Sequence, residues 1–199
     1  IKTFLKHPTK DSSNRSANPA VIRASTILFN SMQELYQHEK KIKKHQKISH
    51  YSYGRYGSST TIELENILKE LEQAFHVFLT GTGFGGVALA IMSLCRPGDE
   101  IIVSDNVYGP TKEISEKLLK EFNVIAKFYN PDSFEDLKNK VTKKTKMILV
   151  ENPGSNTFEF QDLSKIVNLA KKKKIFTFLD NTWGTPLYLK PLKLGFDMS

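Results

Sequence analysis

A few short stretches of this chain carry residue types that do chemistry. The first, VFLTGTGFGGVALAIMSL from Val77 to Leu94, reads as an apolar run, a glycine-rich turn and a helix of small and apolar residues. Gly81, Gly83, Gly85 and Gly86 let backbone N–H groups approach an anion with no Cβ in the way, and the helix aims its positive end at the same spot. Such a turn is built to hold phosphate. Gly81, Gly83 and Gly86 also satisfy G-x-G-x-x-G, with Asp105 near the offset of a ribose-binding acid. An NAD site is therefore one reading, and glycines that merely permit tight strand-to-helix packing are another. The second stretch, YSYGRYGSS (51–59), sets three tyrosines around one arginine. The planar fork of Arg55 and the hydroxyl of Tyr53 suit an anion clamp; an aromatic interface patch with a structural arginine fits the same composition.

These residues need elements to position them. From Phe75 onward, apolar runs at 77–79, 101–103, 124–128, 147–150 and 175–179 alternate with helical patterns at about 85–95, 110–122, 133–142 and 161–172. Repeated βα units predict an α/β fold: a mostly parallel sheet with helices on both faces. Functional residues of such sheets gather at the carboxyl ends of strands. Those ends are the glycine turn, SDNVY (104–108), ENPGSN (151–156) and DNTW (180–183), which should converge on one crevice. Upstream, residues 1–24 should form an extended arm, 24–29 a short strand-like run, and 31–45 a helix with Met32, Leu35, Tyr36 and Ile42 near one face. Thr60 or Thr61 should cap a further helix bearing the stripe Leu64, Ile67, Leu68 and Leu71.

Composition narrows the class. The formal charge of +8 is nearly all lysine, in runs at expected helix ends and turns, which argues against a nucleic-acid groove. No apolar run approaches the length of a membrane-spanning helix. His38 and His45 lack partners at metal-ligand spacing, so no metal is expected. The single cysteine, Cys95, excludes a disulfide framework and fits a reducing cytoplasm. The chain starts at Ile1 and ends at Ser199 after an apolar run, which reads as part of something longer.

Taken together, NPAVIRASTILF (18–29), YGRYGSSTT (53–61), the glycine turn, RPGDEIIVSDNVYGPT (96–111), ENPGS (151–155) and LDNTWGTPLYLKPLKLGFDMS (179–199) resemble the pyridoxal-phosphate (PLP) enzymes of Cys/Met metabolism, the transsulfuration group. Their order and spacing displace the NAD reading. The resemblance implies the large domain of the type I PLP-transferase fold over 61–199, preceded by an arm and oligomer-contact segment over 1–60. It implies that Gly83 and the backbone of Phe84 hold the PLP phosphate, that Tyr108 stacks on the cofactor ring, and that Asp180 pairs with the pyridine nitrogen. Ser155 would line the hydroxyl side of the cofactor and Thr182 would lie near its ring. Tyr53 and Arg55 would reach the phosphate of a neighbouring subunit, so the protein should be a homodimer or homotetramer with shared sites. Tyr53 and Trp183 would line the substrate pocket, and Trp183 follows the habit of the β-acting members.

The implied reaction is β-elimination from cystathionine, giving homocysteine, pyruvate and ammonia, with Tyr108 and Asp180 as catalytic residues. Two alternatives stand beside it: a γ-acting lyase or synthase of the same group, and a non-catalytic remnant. One departure counts against completeness. The group's cofactor-anchoring lysine falls a few residues past the LGFDMS segment, and neither Lys190 nor Lys193 takes its place.

Overall fold

The structure, a computed structural model, describes residues 18–44, 46 and 48–199. Most of the expected N-terminal arm, and His45, lie outside the described residues. The chain divides into two compact units, residues 1–79 and 80–199.

In the first unit, α1 (Met32–Lys43) is capped by the Ser31 hydroxyl, which accepts the Glu34 N–H at 3.1 Å. Met32 and Tyr36 of its expected apolar face are mostly exposed. Helix α2 (Ser59–Glu72) begins two or three residues earlier than a cap at Thr60 or Thr61 implies. Ser58 caps it through a reciprocal box, its own N–H donating to Thr61 Oγ1 at 2.8 Å. Only Ile62 of this helix is buried, and Leu64 of the expected stripe is 46% exposed. The 24–29 run forms no strand beyond a single antiparallel bridge, Thr26 to Tyr53. Val77–Leu79 likewise joins no ladder, and Phe78 stays exposed. The expected first strand is thus extended irregular backbone: three apolar residues do not make a strand without a partner to satisfy their backbone groups.

The second unit holds one four-stranded, all-parallel sheet of β1 (Glu100–Ser104), β2 (Ile125–Tyr129), β3 (Thr145–Glu151) and β4 (Phe176–Asp180), ordered β2-β1-β3-β4. Both faces are covered, which is why β1 and β3 read as unbroken apolar runs instead of alternating. On one face Ile101, Val103, Met147, Leu149 and Phe178 pack under Val87 and Ile91 of α3 (Gly83–Leu94). Leu119 joins them from α4, which runs Gly109–Glu113, through a π-turn Ile114–Leu118, to Leu119–Glu121. On the other face Ile102, Ile148, Val150 and Leu179 pack against Leu137 of α5 (Phe134–Lys140) and Leu163, Ile166, Val167 and Ala170 of α6 (Leu163–Lys173). Each fully buried branched side chain contributes about 1.5–3 kcal/mol. Two short proline-led helices, α7 (Thr185–Tyr188) and α8 (Pro191–Leu194), follow β4.

The strand order fixes where a site can form. From β1 the chain moves outward to β2, and from β3 it moves the opposite way to β4, so the order reverses between β1 and β3. A crevice opens at the carboxyl ends of strands at such a switch point. Close approach of the two loops there explains a glycine: a Cβ on Gly154 would collide with the side chains of Asn106 and Glu159.

At the opposite end of the sheet, buried Glu100 accepts from Lys127 Nζ at 2.7 Å and Thr142 Oγ1 at 2.6 Å. Burial pushes its carboxyl up, but the hydrogen bonds from Lys127 and Thr142 prevail and hold it below its ordinary value. The native state therefore gains stability from this carboxylate above the unfolded-state value of 4.5 and loses it as pH falls. Lys127→Met, which strands the carboxylate, should destabilise by about 1–2 kcal/mol at pH 7. Urea melts should show a smaller penalty at pH 4; an equal penalty at both pH values would mean the pair is not the cause.

Candidate active site

Helix α3 brings the glycine turn to the sheet. The Thr82 hydroxyl caps the helix by accepting the Gly85 N–H at 2.9 Å, and the Thr82 carbonyl accepts the Gly86 N–H at 3.2 Å. The Gly83 and Phe84 N–H groups precede these in the first turn, where helix donors have no intrahelical acceptor. A Cβ built on Gly83 meets nothing within 4 Å, so space in front of this turn is open. The turn thus has the donors and the room that a phosphate group needs.

The acids come from β3 and β4. Side chains alternate along a strand, and Met147, Leu149 and Phe178 all face α3. Glu151 and Asp180, two residues on and partnered in register, therefore project to the same side of the sheet as α3. Asp180 Oδ1 accepts from the Thr182 N–H at 3.1 Å and the Thr182 hydroxyl at 2.5 Å. This turn orients the carboxylate and explains why Thr182 follows so closely.

Tyr108 comes from the end of β1. Its ring is half-exposed, and its N–H donates to Glu151 Oε2 at 2.7 Å. That hydrogen bond spans the switch point, tying the β1 loop to the β3 end. A second tie runs alongside, the Ser155 N–H donating to the Asn106 carbonyl at 2.9 Å. The Ser155 hydroxyl pulls the Glu151 carboxyl down, against the rise that burial gives it. Trp183 meets Phe158 edge to face, ring centroids 5.0 Å apart, and both rings remain about half exposed. Asp105, the candidate ribose-binding acid, is instead ion-paired with Lys112 at 2.6 Å.

Glu151 is absent from the residues that the sequence reading singled out for chemistry, although it opens the ENPGS stretch. It is only 4% exposed, and burial pushes its carboxyl from the ordinary 4.5 up to about 7. The Tyr108 N–H opposes that rise, and the charge of Asp180 adds to it. Its position directly after the apolar run 147–150 and before Asn152 and Pro153 was the available signal.

Tyr53 and Arg55 form a cluster of their own in the first unit. The 3-10 turn Gly54–Tyr56 is anchored by the Gly54 N–H donating to the Ser25 carbonyl at 2.7 Å. The Arg55 guanidinium lies 5.3 Å from the Tyr53 ring centre and 5.4 Å from that of Tyr56. Stacking between rings holds the fork without consuming its donors. Elsewhere, Cys95 is buried and its thiol is pushed up to about 11, chiefly by burial, which makes it unreactive. His38 stacks on His50 at 4.5 Å with Nε2 against the His50 carbonyl. Among the described residues no cluster of His, Cys, Asp or Glu could hold a metal, and no helix is long and apolar enough to cross a membrane.

Known proteins resemble this chain in sequence and fold. The profile of the Cys/Met metabolism PLP-dependent enzymes matches residues 3–199. A cystathionine β-lyase from Bordetella avium is 32% identical over 100% of this chain and 50% of its own length. An L-alanine/L-glutamate racemase from Wolbachia pipientis is 32% identical over 92% of this chain and 46% of its own. A crystal structure from Campylobacter jejuni, assigned as an O-acetylhomoserine (thiol)-lyase and carrying a pyridoxyl-lysine phosphate, superposes with a TM-score of 0.84 at 26% identity, over 96% of this chain and 46% of that one. The chain spans about half the length of the curated relatives it matches. With a profile match along nearly its whole length, on a parallel sheet superposing on that PLP-bearing structure, the chain belongs to the Cys/Met metabolism PLP-dependent enzyme family.

Proposed function

We propose that the full-length protein is a carbon–sulfur β-lyase that converts cystathionine and water to homocysteine, pyruvate and ammonia. The observation that carries this reading is the 32% identity to the Bordetella β-lyase along the whole chain; Tyr108, through its N–H, and Asp180, as register partner, both border Glu151. PLP, when bound, supplies an electron sink that acidifies the substrate Cα–H. The chain's own residues then have distinct tasks. The Gly83 and Phe84 N–H groups take the phosphate. Asp180, held by Thr182, keeps a proton on the pyridine nitrogen. Tyr108 would cover a face of the ring, Ser155 would lie towards its hydroxyl, and Trp183, packed against Phe158, would wall the substrate pocket. Arg55 and Tyr53 complete the phosphate site of a second copy, which makes the working unit a homodimer or homotetramer. The compartment that fits is the cytoplasm, since the one thiol of this chain, Cys95, is buried and free.

The similarity to the Wolbachia enzyme favours a second reading, racemisation, which begins with removal of the same Cα proton. Assays of the full-length protein with cystathionine and with L-alanine separate the possibilities. Pyruvate with homocysteine supports the β-lyase. Formation of 2-oxobutyrate assigns the γ-acting alternative, D-alanine the racemase, and no product the non-catalytic remnant.

Arg55→Ala should weaken PLP retention without unfolding its own subunit, since its ring contacts lie on an exposed turn. Losing one charge-assisted phosphate contact costs about 1.5–3 kcal/mol. In mixed oligomers, pairing Arg55→Ala subunits with Asp180→Asn subunits should restore one kind of working site. Absence of restoration in demonstrably mixed oligomers would leave Arg55 a structural residue.

A further inference from the structure

The residue that joins the elements of the site is one to which the reaction itself assigns no task. Glu151 ends β3 at the switch point, buried to 4% exposure. Its Oε2 accepts the Tyr108 N–H at 2.7 Å. Its register partner on β4 is Asp180. Its backbone is pinned from both sides: its N–H donates to Ser104 Oγ at 3.3 Å, and its carbonyl accepts from Gln161 Nε2 at 3.2 Å. Gln161 in turn takes the hydroxyl of buried Tyr129 at the end of β2. One side chain thus ties the β1 loop to the end of β3, beside the acid of β4, on a backbone held from both sides.

We propose that Glu151 is a positioning residue, whose carboxyl fixes the backbone of Tyr108 and whose proton sets the negative charge that the strand ends present around Asp180. A buried carboxyl beside a second carboxyl resists ionising, because it loses hydration and meets a like charge. With its proton on, Glu151 accepts the Tyr108 N–H as a neutral group; with its proton off, it accepts the same N–H in a shorter, charge-assisted bond. The placement of Tyr108 is therefore coupled to the charge state of Glu151. Other ionisable groups nearby are otherwise engaged. Asp105 is paired with Lys112 on the β1 loop, Glu159 accepts from Asn106 and Thr157, and α3 carries no ionisable side chain. The inference rests on the reading of Tyr108 and Asp180 as site residues, but its test does not use catalysis.

The test is a pH titration of the full-length protein by NMR, from pH 5 to 9. Glutamate is labelled with carbon-13 at the side-chain carboxyl and tyrosine with nitrogen-15 at the backbone amide; Glu151→Gln and Tyr108→Phe assign the two signals. In the wild type, the Glu151 carboxyl should titrate near 7, as its surroundings set it, and the Tyr108 amide signal should move at the same midpoint. In Asp180→Asn the Glu151 midpoint should fall, because one like charge is gone. In Glu151→Gln, which keeps an acceptor for the Tyr108 N–H, the amide signal should lose that transition. A Glu151 midpoint unmoved by Asp180→Asn, or a Tyr108 signal flat in the wild type, overturns the proposal. The Asp180→Asn arm decides it even if Glu151→Gln fails to fold. Absence of lyase activity alongside co-titration would overturn the β-lyase reading and leave this one standing.

Discussion

Asp180→Asn should lower the turnover of the full-length protein by about 100-fold or more, the scale seen when one fixed electrostatic partner of a reacting system is removed. Stability should change little. The asparagine oxygen can still accept from the Thr182 N–H and hydroxyl, so the turn after β4 keeps its hydrogen bonds while the carboxylate charge is lost. The buried part of β4 ends at Leu179, which the substitution leaves in place. Steady-state kinetics paired with urea melts checks this. A near-normal rate would remove Asp180 from the chemistry, and a stability loss matching the rate loss would make it a structural acid.

Glu151 should make the protein less stable as pH rises from about 4.5 to about 7. The sign follows from proton counts: in that window the unfolded chain has released the proton that the native state still holds, so raising pH favours unfolding. The shift from 4.5 to about 7 corresponds to about 3 kcal/mol, fully expressed above pH 7. Glu151→Gln cannot titrate, so the stability difference between variant and wild type should move by that amount in the variant's favour between pH 4.5 and 8. Taking the difference cancels other ionisable groups, Glu100 among them. A difference that stays constant with pH would show that Glu151 ionises in the native state as it does in the unfolded one.

The sequence by itself determined much of the second unit. Long apolar runs at 101–103 and 147–150, alternating with helical periods, can be satisfied only by strands covered on both faces, and those strands form as expected. The strand ends were legible for the same reason: polar residues such as Asp105, Asn152 and Asp180 appear where the buried run stops. The glycine turn also announced a helix, which starts at Gly83 behind a Thr82 cap, two residues ahead of the expected 85. Where few long-range contacts back the pattern, it misled. Val77–Leu79 has the composition of a strand but finds no ladder, and the stripe on α2 leaves Leu64 exposed.

Only the tertiary structure decided how the strands are ordered, and hence that β1 and β3 flank the reversal. No local preference encodes which of several similar apolar strands become neighbours; that is set by packing of helices on the two faces and by crossover direction. The importance of Glu151 depended on that order. In the sequence it is one carboxylate before a proline-containing loop, 43 residues from Tyr108 and 29 from Asp180. Its burial, its hydrogen bond to the Tyr108 N–H and its place beside Asp180 exist only once β1, β3 and β4 lie side by side, because each is a contact between residues distant along the chain.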